Sequence, residues 1–243
     1  MRTLLLDIET SPNLAWVWGM YNQNVSVGQL ERPKDVLCFA TEWLDEPYGP
    51  DFFSEWEHGR KGMAQGIRTL LDEADAVITY NGDKFDLPHL RALMLTEGLT
   101  PPSPYKSIDL YKTMKQFELP FRKLGYVTDL LGLETKTETG GFGLWKGVMS
   151  GDPVSRATME GYNRNDVTIM RELYYVLQPW VKNHPNRNLY DGSGCPKCGS
   201  GMLVKRGIRT TGLGAYQRYR CSACGAWSSD GKALYRVDYR EDR

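Results

Sequence analysis

Apolar and polar positions along this chain fall into blocks whose period changes. Residues 4–8, 36–43 and 76–80 are short apolar runs, each closed by polar or turn-forming residues. Runs of that length predict buried strands, and Phe52-Phe53 marks another. Between them the period lengthens. Met63, Ile67 and Leu70-Leu71 recur at helical spacing within 58–72, and 87–97 reads as a helix that stops at Gly98. Residues 107–110 predict a strand end. Helices are predicted over 111–117, 122–131 and 153–181, the last with a break near Gly161. The proline-rich 101–104 is a loop. The glycine-rich 135–151, with Trp145 and Lys146 inside it, predicts a long loop of the kind that often carries function. Strands first, then mixed strands and helices, predict an α/β domain with a mixed sheet flanked by helices.

A polar stretch with Pro185, Gly192 and Gly194 breaks this pattern. It predicts one domain over 1–185, a linker over 186–194 and a small C-terminal domain over 195–243. Composition agrees with a globular chain, at 41% hydrophobic and 25% charged. Lys+Arg and Asp+Glu are 30 each, yet residues 195–243 hold 10 basic and 4 acidic residues, leaving +6 there and −6 in the rest. An acidic body with a basic tail suits a carboxylate-rich site beside a nucleic-acid contact, although such asymmetry also occurs without function. The N-terminus meets Asp7 after three leucines, too soon for a signal-peptide core, and no apolar run approaches the roughly 20 residues of a membrane span. A soluble, cytoplasmic, reducing setting is therefore expected. No GxxxxGK[ST] phosphate loop is present.

In that setting, paired cysteines bind metal rather than each other. Cys195-Pro196-Lys197-Cys198-Gly199 and Cys221-Ser222-Ala223-Cys224-Gly225 form two CxxCG knuckles with 22 residues between Cys198 and Cys221. Four soft thiolates predict one structural Zn²⁺ in a zinc ribbon that folds around the metal. On a strand, Tyr216, Arg218 and Arg220 would share a face, and Lys205, Arg206, Arg209 and Trp227 lie near in sequence. That set predicts a phosphate-and-stacking surface; a structural cap or a docking module for a replication or recombination protein are the other uses of such a ribbon. Cys38, inside an apolar run, is expected to be an inert core residue.

Three further patterns carry carboxylates. In Asp7-Ile8-Glu9, residues i and i+2 of a strand put two carboxylates on one face. They resist joint ionisation unless a cation lies between them, and hard oxygen donors favour Mg²⁺ or Mn²⁺. Most such pairs elsewhere are merely solvated. In Asn81-Gly82-Asp83-Lys84-Phe85-Asp86, a turn leads into a helix, and an acidic residue at a helix start is ordinary chemistry. In Tyr162-Asn163-Arg164-Asn165-Asp166, a phenol and a carboxylate one turn apart project together, or form an unremarkable helix face. Asp109 reads as a helix N-cap, Asp83 as a turn residue and His89 as helix surface.

Taken together and in this order, the three patterns resemble the exonuclease motifs of the DEDD superfamily, in its tyrosine subgroup. That subgroup has an RNase H-like fold and includes the DnaQ-like proofreading domains of family B DNA polymerases. The opening 7–15 is also similar to small stand-alone phage-encoded members. The resemblance covers about residues 1–180. It implies that Asp7, Glu9, Asp86 and Asp166 hold two Mg²⁺ or Mn²⁺ and that Tyr162 orients the attacking water. It implies a 3′→5′ exonuclease on single-stranded or frayed 3′ ends, DNA favoured, releasing nucleoside monophosphates. Asn81, Phe85, Trp16, Trp145 and Lys146, with Arg206, Arg209, Arg218 and Arg220 of the tail, are the expected nucleic-acid contacts, and no membrane partner is implied. The competing expectations are a non-catalytic recruitment module and an RNase or structure-specific endonuclease using the same site.

Overall fold

The computed structural model describes residues 1–46, 48–133 and 141–237. Its contacts separate two compact units, Arg2–Leu173 and Tyr174–Arg243, the latter with Met1. The division falls inside the longest helix.

The first unit is built on a five-stranded sheet in the order β5-β4-β1-β6-β7. In chain order its elements are β1 (Thr3–Thr10), the short ribbon strands β2 (Leu14–Ala15) and β3 (Leu30–Arg32), β4 (Val36–Trp43) and β5 (Asp51–Ser54). Helix α1 (Glu55–Glu73), β6 (Ala76–Thr79), α2 (Asp86–Thr96) and β7 (Lys106–Asp109) follow. Then come α3 (Leu110–Met114), α4 (Leu124–Leu130), α5 (Phe142–Ser150) and α6 (Pro153–Leu177). β1 pairs antiparallel with β4 and parallel with β6, so the sheet is mixed.

The period of two along β1 decides what each face carries. Leu4, Leu6 and Ile8 point into a core with Met63, Ile67 and Leu71 of α1 and Leu87 and Leu90 of α2. Burying each such side chain contributes roughly 1.5–3 kcal/mol. Leu5, Asp7 and Glu9 take the opposite face, across from Glu42, Ala40 and Cys38 of β4. Helix α6 meets that face. Its Arg171 pairs with the buried Glu42, and its Asn163 bonds to Asp7. Met159, Asn163, Asp166, Val167, Met170 and Leu173 are its buried stripe, at the 3–4 residue spacing of one helix face. Asp152 caps the start of α6 by accepting the Ser155 N–H at 2.9 Å.

Two expectations fail in this region. Helix α6 runs unbroken through Gly161: a glycine mid-helix costs about 1 kcal/mol, and the buried stripe outweighs it. Residues 142–150 are helical, not loop, so Trp145 and Lys146 stand on a helix. The remaining expected loop residues, 135–140, lie outside the described residues. One of the glycines that suggested a loop serves packing: a Cβ on Gly147 would lie 2.0 Å from Ser155 Oγ, so only glycine lets α5 approach α6 this closely.

The second unit holds the end of α6, the short helix α7 (Asn188–Asp191) and β8 (Leu203–Thr210), β9 (Gly214–Cys221), β10 (Trp227–Ser229) and β11 (Tyr235–Arg236). β9 pairs antiparallel with β8, β10 and β11. Within the stretch expected as linker, Asn188 brackets Gly194 with two hydrogen bonds of 2.9 Å. No helix among the described residues is long and apolar enough to cross a membrane.

Candidate functional site

β1 delivers Asp7 and Glu9 side by side, and α6 brings Asp166 to them. Ligand oxygens of these three carboxylates all lie within 4.8 Å of one another. Asp166 is buried and the other two are half-buried. Three carboxylates this close repel strongly in a low-dielectric setting, and their oxygens suit a hard divalent cation. The donor set therefore fits such a metal.

Asp86 is outside that group of three but adjoins it along β1. The β1–β6 ladder ends at Leu5 and Ile78, which leaves the Ile8 N–H without a strand partner on that side. Asp86 Oδ1 accepts that N–H at 3.1 Å. The turn that places Asp86 there is specific. Asn81 is left-handed at φ 67, and a Cβ on Gly82 would lie 2.3 Å from Thr79 Oγ1. Burial pushes the Asp86 carboxyl up to about 7, with the Ile8 N–H working against the rise and the Asp109 charge adding to it.

Tyr162 is buried beside the cluster. Burial first, then the charges of Asp166, Glu9 and Asp7, hold its phenol well above the usual range. It is thus held as a neutral O–H. Trp145 of α5 meets the Tyr162 ring edge-on, with centroids 6.5 Å apart. Lys146 turns back over Phe142 of its own helix, 5.6 Å from the ring.

A cavity of about 720 Å³ opens beside the cluster, with Asp7 and Asp166 on its wall. Its other wall is basic and aromatic: Lys84, Lys115, Arg122 and Lys123, with Tyr80 and Tyr111. Of the contacts expected from sequence, Asn81 lines it. Phe85 instead packs partly against the core, under Lys34 and beside His89. Trp16 lies exposed on the excursion between β1 and β4.

Two site residues escaped the sequence reading. Asn163, fully buried, donates from Nδ2 to Asp7 Oδ2 at 2.7 Å and to Asp7 O at 3.3 Å, so it fixes the first carboxylate. Its place between Tyr162 and Asp166 was the available signal. Asp109 does cap α3, as expected, accepting Tyr111 N–H at 3.0 Å; the same oxygen accepts Asn81 N–H at 2.9 Å and so ties two walls of the cavity. The basic wall gave no periodic signal, because the turn before α2, the end of α3 and the segment leading into α4 assemble it only in the fold.

In the second unit, Cys195, Cys198, Cys221 and Cys224 converge. The Cys195–Cys224 and Cys198–Cys221 sulfurs are each 3.7 Å apart. A tetrahedral ion with Zn–S bonds of about 2.3 Å places its sulfurs about 3.8 Å apart, so the four thiols fit zinc. Gly199 and Gly225, both at φ 78, close the knuckles by donating to the Cys195 and Cys221 carbonyls. Directly paired residues share a sheet face, which puts Arg220 with Trp227, Arg218 with Ser229 and Tyr216 with Arg209. Arg218 also lies over the Trp227 ring at 5.4 Å. Arg206, exposed, falls at the register break of β8.

Comparison with known proteins agrees with this architecture. A family profile described as the RNase_H superfamily matches residues 4–178. Among solved structures, the family B DNA polymerase from the hyperthermophilic archaeon Pyrobaculum calidifontis superposes with a TM-score of 0.52 at 19% identity, over 87% of this chain and 31% of that one. At that identity the likeness is one of fold, and this chain spans less than a third of the polymerase's length. Comparison with curated proteins finds no match.

Proposed function

This chain belongs to the RNase_H superfamily, and from that membership we propose that it is a metal-dependent 3′→5′ exonuclease of the tyrosine-type DEDD class. The observation that carries the reading is the convergence of Asp7, Glu9 and Asp166 within 4.8 Å, with Tyr162 beside them. Asp7, Glu9 and Asp166 would hold one Mg²⁺ or Mn²⁺, and Asp86 with Asp7 a second. When bound, such ions lower the pKa of the attacking water and neutralise charge on the scissile phosphate and the leaving 3′ oxygen.

The chain's own residues do the rest. Asn163 holds Asp7 in one rotamer. Tyr162 keeps its proton and orients the water toward the phosphorus. Lys84, Lys115, Arg122 and Lys123 neutralise the phosphates of the strand end in the cavity, and Tyr80 and Tyr111 offer ring surface to its sugars and bases. Asn81, Phe85, Trp16, Trp145 and Lys146 remain proposed contacts around this path. The substrate is the single-stranded or frayed 3′ end of DNA, and nucleoside monophosphates are released. In the second unit, the four cysteines would hold one Zn²⁺ that supplies the ribbon's folding energy, with Arg206, Arg209, Arg218 and Arg220 taking the strand's backbone and Trp227 offering a ring to its bases.

Substituting Asp7→Ala or Asp166→Ala tests the site. Each variant is expected to lose metal-dependent cleavage of a single strand while its far-UV circular dichroism stays that of the parent. Retained cleavage in either variant removes the site assignment.

A further inference from the structure

Between β1 and β4 the chain leaves the sheet and returns over residues 12–35. Its two feet are locked: Ser11 N donates to Asp35 O at 2.8 Å, and Asp35 N to Ser11 Oγ at 2.9 Å. Further out, Lys34 N donates to Asn13 Oδ1 at 2.7 Å, β2 pairs with β3, and Trp16 and Gln29 exchange two hydrogen bonds. The tip is also a built turn. Asn22 is left-handed at φ 53, and Gln23 Nε2 donates to Tyr21 O at 2.7 Å. This is a braced flap rather than a slack loop.

The flap carries its large apolar side chains in water. Trp18 is 98% exposed, Met20 88% and Tyr21 81%. Soluble surfaces rarely concentrate such groups without a partner. Residues 14–30 contain no Asp, Glu, Lys or Arg. The near foot, Ser11, stands two residues beyond Glu9, a distance of roughly 7 Å along a strand.

We infer that this flap is a stacking platform for unpaired bases, with Trp18 and Tyr21 as its rings, holding the single strand whose end enters the carboxylate site. The inference rests on the nuclease reading for the nature of the polymer. Three observations select nucleic acid as the occupant. The flap rises from the strand that bears Asp7 and Glu9. Its outer part, residues 14–30, has no acidic group to repel a polyanion; Glu31 and Asp35 lie toward the far foot. Its rings are almost fully exposed beside the polar turn Asn22-Gln23-Asn24, a setting that suits separate stacking on bases better than a continuous apolar protein interface. Every base has a π-face, so recognition is sequence-tolerant. With no cation in residues 14–30, the share of binding that Trp18 and Tyr21 contribute is independent of salt, unlike contacts to phosphate.

The test is fluorescence anisotropy of a labelled single-stranded oligonucleotide with the zinc-loaded full chain in buffer free of Mg²⁺ and Mn²⁺ and without chelator, over a series of salt concentrations. Trp18→Ala is expected to weaken binding about tenfold at every salt concentration with an unchanged salt slope, and Trp18→Phe to recover most of the loss. Equal affinity of Trp18→Ala and the parent overturns the inference, as does a loss that disappears at high salt. Sedimentation in which the parent self-associates and Trp18→Ala does not also overturns it, in favour of a second copy of the chain. Leaving out Mg²⁺ and Mn²⁺ removes cleavage from the readout while the zinc stays in place. A protein that binds through Trp18 but never cleaves with metal restored contradicts the nuclease reading and leaves the platform standing.

Discussion

Asn163 shows how one amide can govern a carboxylate site. Its Nδ2 spans the side-chain and main-chain oxygens of Asp7, so Asp7 meets its neighbours in a fixed orientation. Groups that orient metal ligands typically account for 10–100-fold in metal affinity. Asn163→Ala is therefore expected to weaken Mn²⁺ binding by about that range in calorimetric titration, with cleavage recovering as Mn²⁺ is raised; unchanged affinity would remove this role. The carboxylates themselves were legible in the sequence because the strand period places Asp7 and Glu9 on one face and the helix period places Tyr162 with Asp166. Asn163 was not singled out, since an asparagine inside a helix has many ordinary explanations until its partner is known.

At the scale of elements, the sequence was most informative where one period persists. β4 occupies the expected 36–43, and α1, α2 and β6 fall within a few residues of their predicted bounds. It misled where glycine serves packing. The loop expected around Trp145 is helix α5, because Gly147 answers to Ser155 across the α5–α6 contact, which no local pattern reveals. The segment after α6 carries a prediction of its own. The Tyr174 hydroxyl meets His184 Nε2 at 2.8 Å, and Gln178 Nε2 donates to Tyr174 Oη at 2.9 Å and to the Lys197 carbonyl at 3.2 Å. Burial, opposed by the Pro185 carbonyl and aided by the charges of Lys197 and Arg187, holds the His184 pKa below its usual value. The folded state thus binds fewer protons than the unfolded one as pH falls below about 6.5. Stability from His184 is present above that pH and is lost on acidification. Thermal melts of the zinc-loaded protein should lose more stability between pH 7 and pH 5 than those of His184→Gln. Parallel losses would show that His184 does not titrate on unfolding.

For the whole molecule, formal charge is divided unevenly: −6 over residues 1–194, where the carboxylates lie, and +6 over 195–243. On the ribbon, Arg218 and Arg220 share a face with Trp227. If both arginines take phosphates, replacing them with alanine should reduce the slope of log affinity against log salt by about 1.4 on a single strand, with cleavage at saturating substrate little changed. An unaltered slope would assign the ribbon to another partner. The superfamily fold was readable because its motifs lie at the ends of strongly patterned elements. The basic wall of the cavity was not, since Lys84, Lys115, Arg122 and Lys123 come from separate connecting segments that meet only in the fold.

The central claim is tested most directly by a time course on single-stranded DNA and RNA of matched sequence, each labelled at the 5′ end, with Mg²⁺, Mn²⁺ or EDTA. The account predicts a ladder that shortens from the 3′ end with either metal and is absent in EDTA, faster on DNA than on RNA. Discrete internal cuts, or intact strands under both metals, would contradict it.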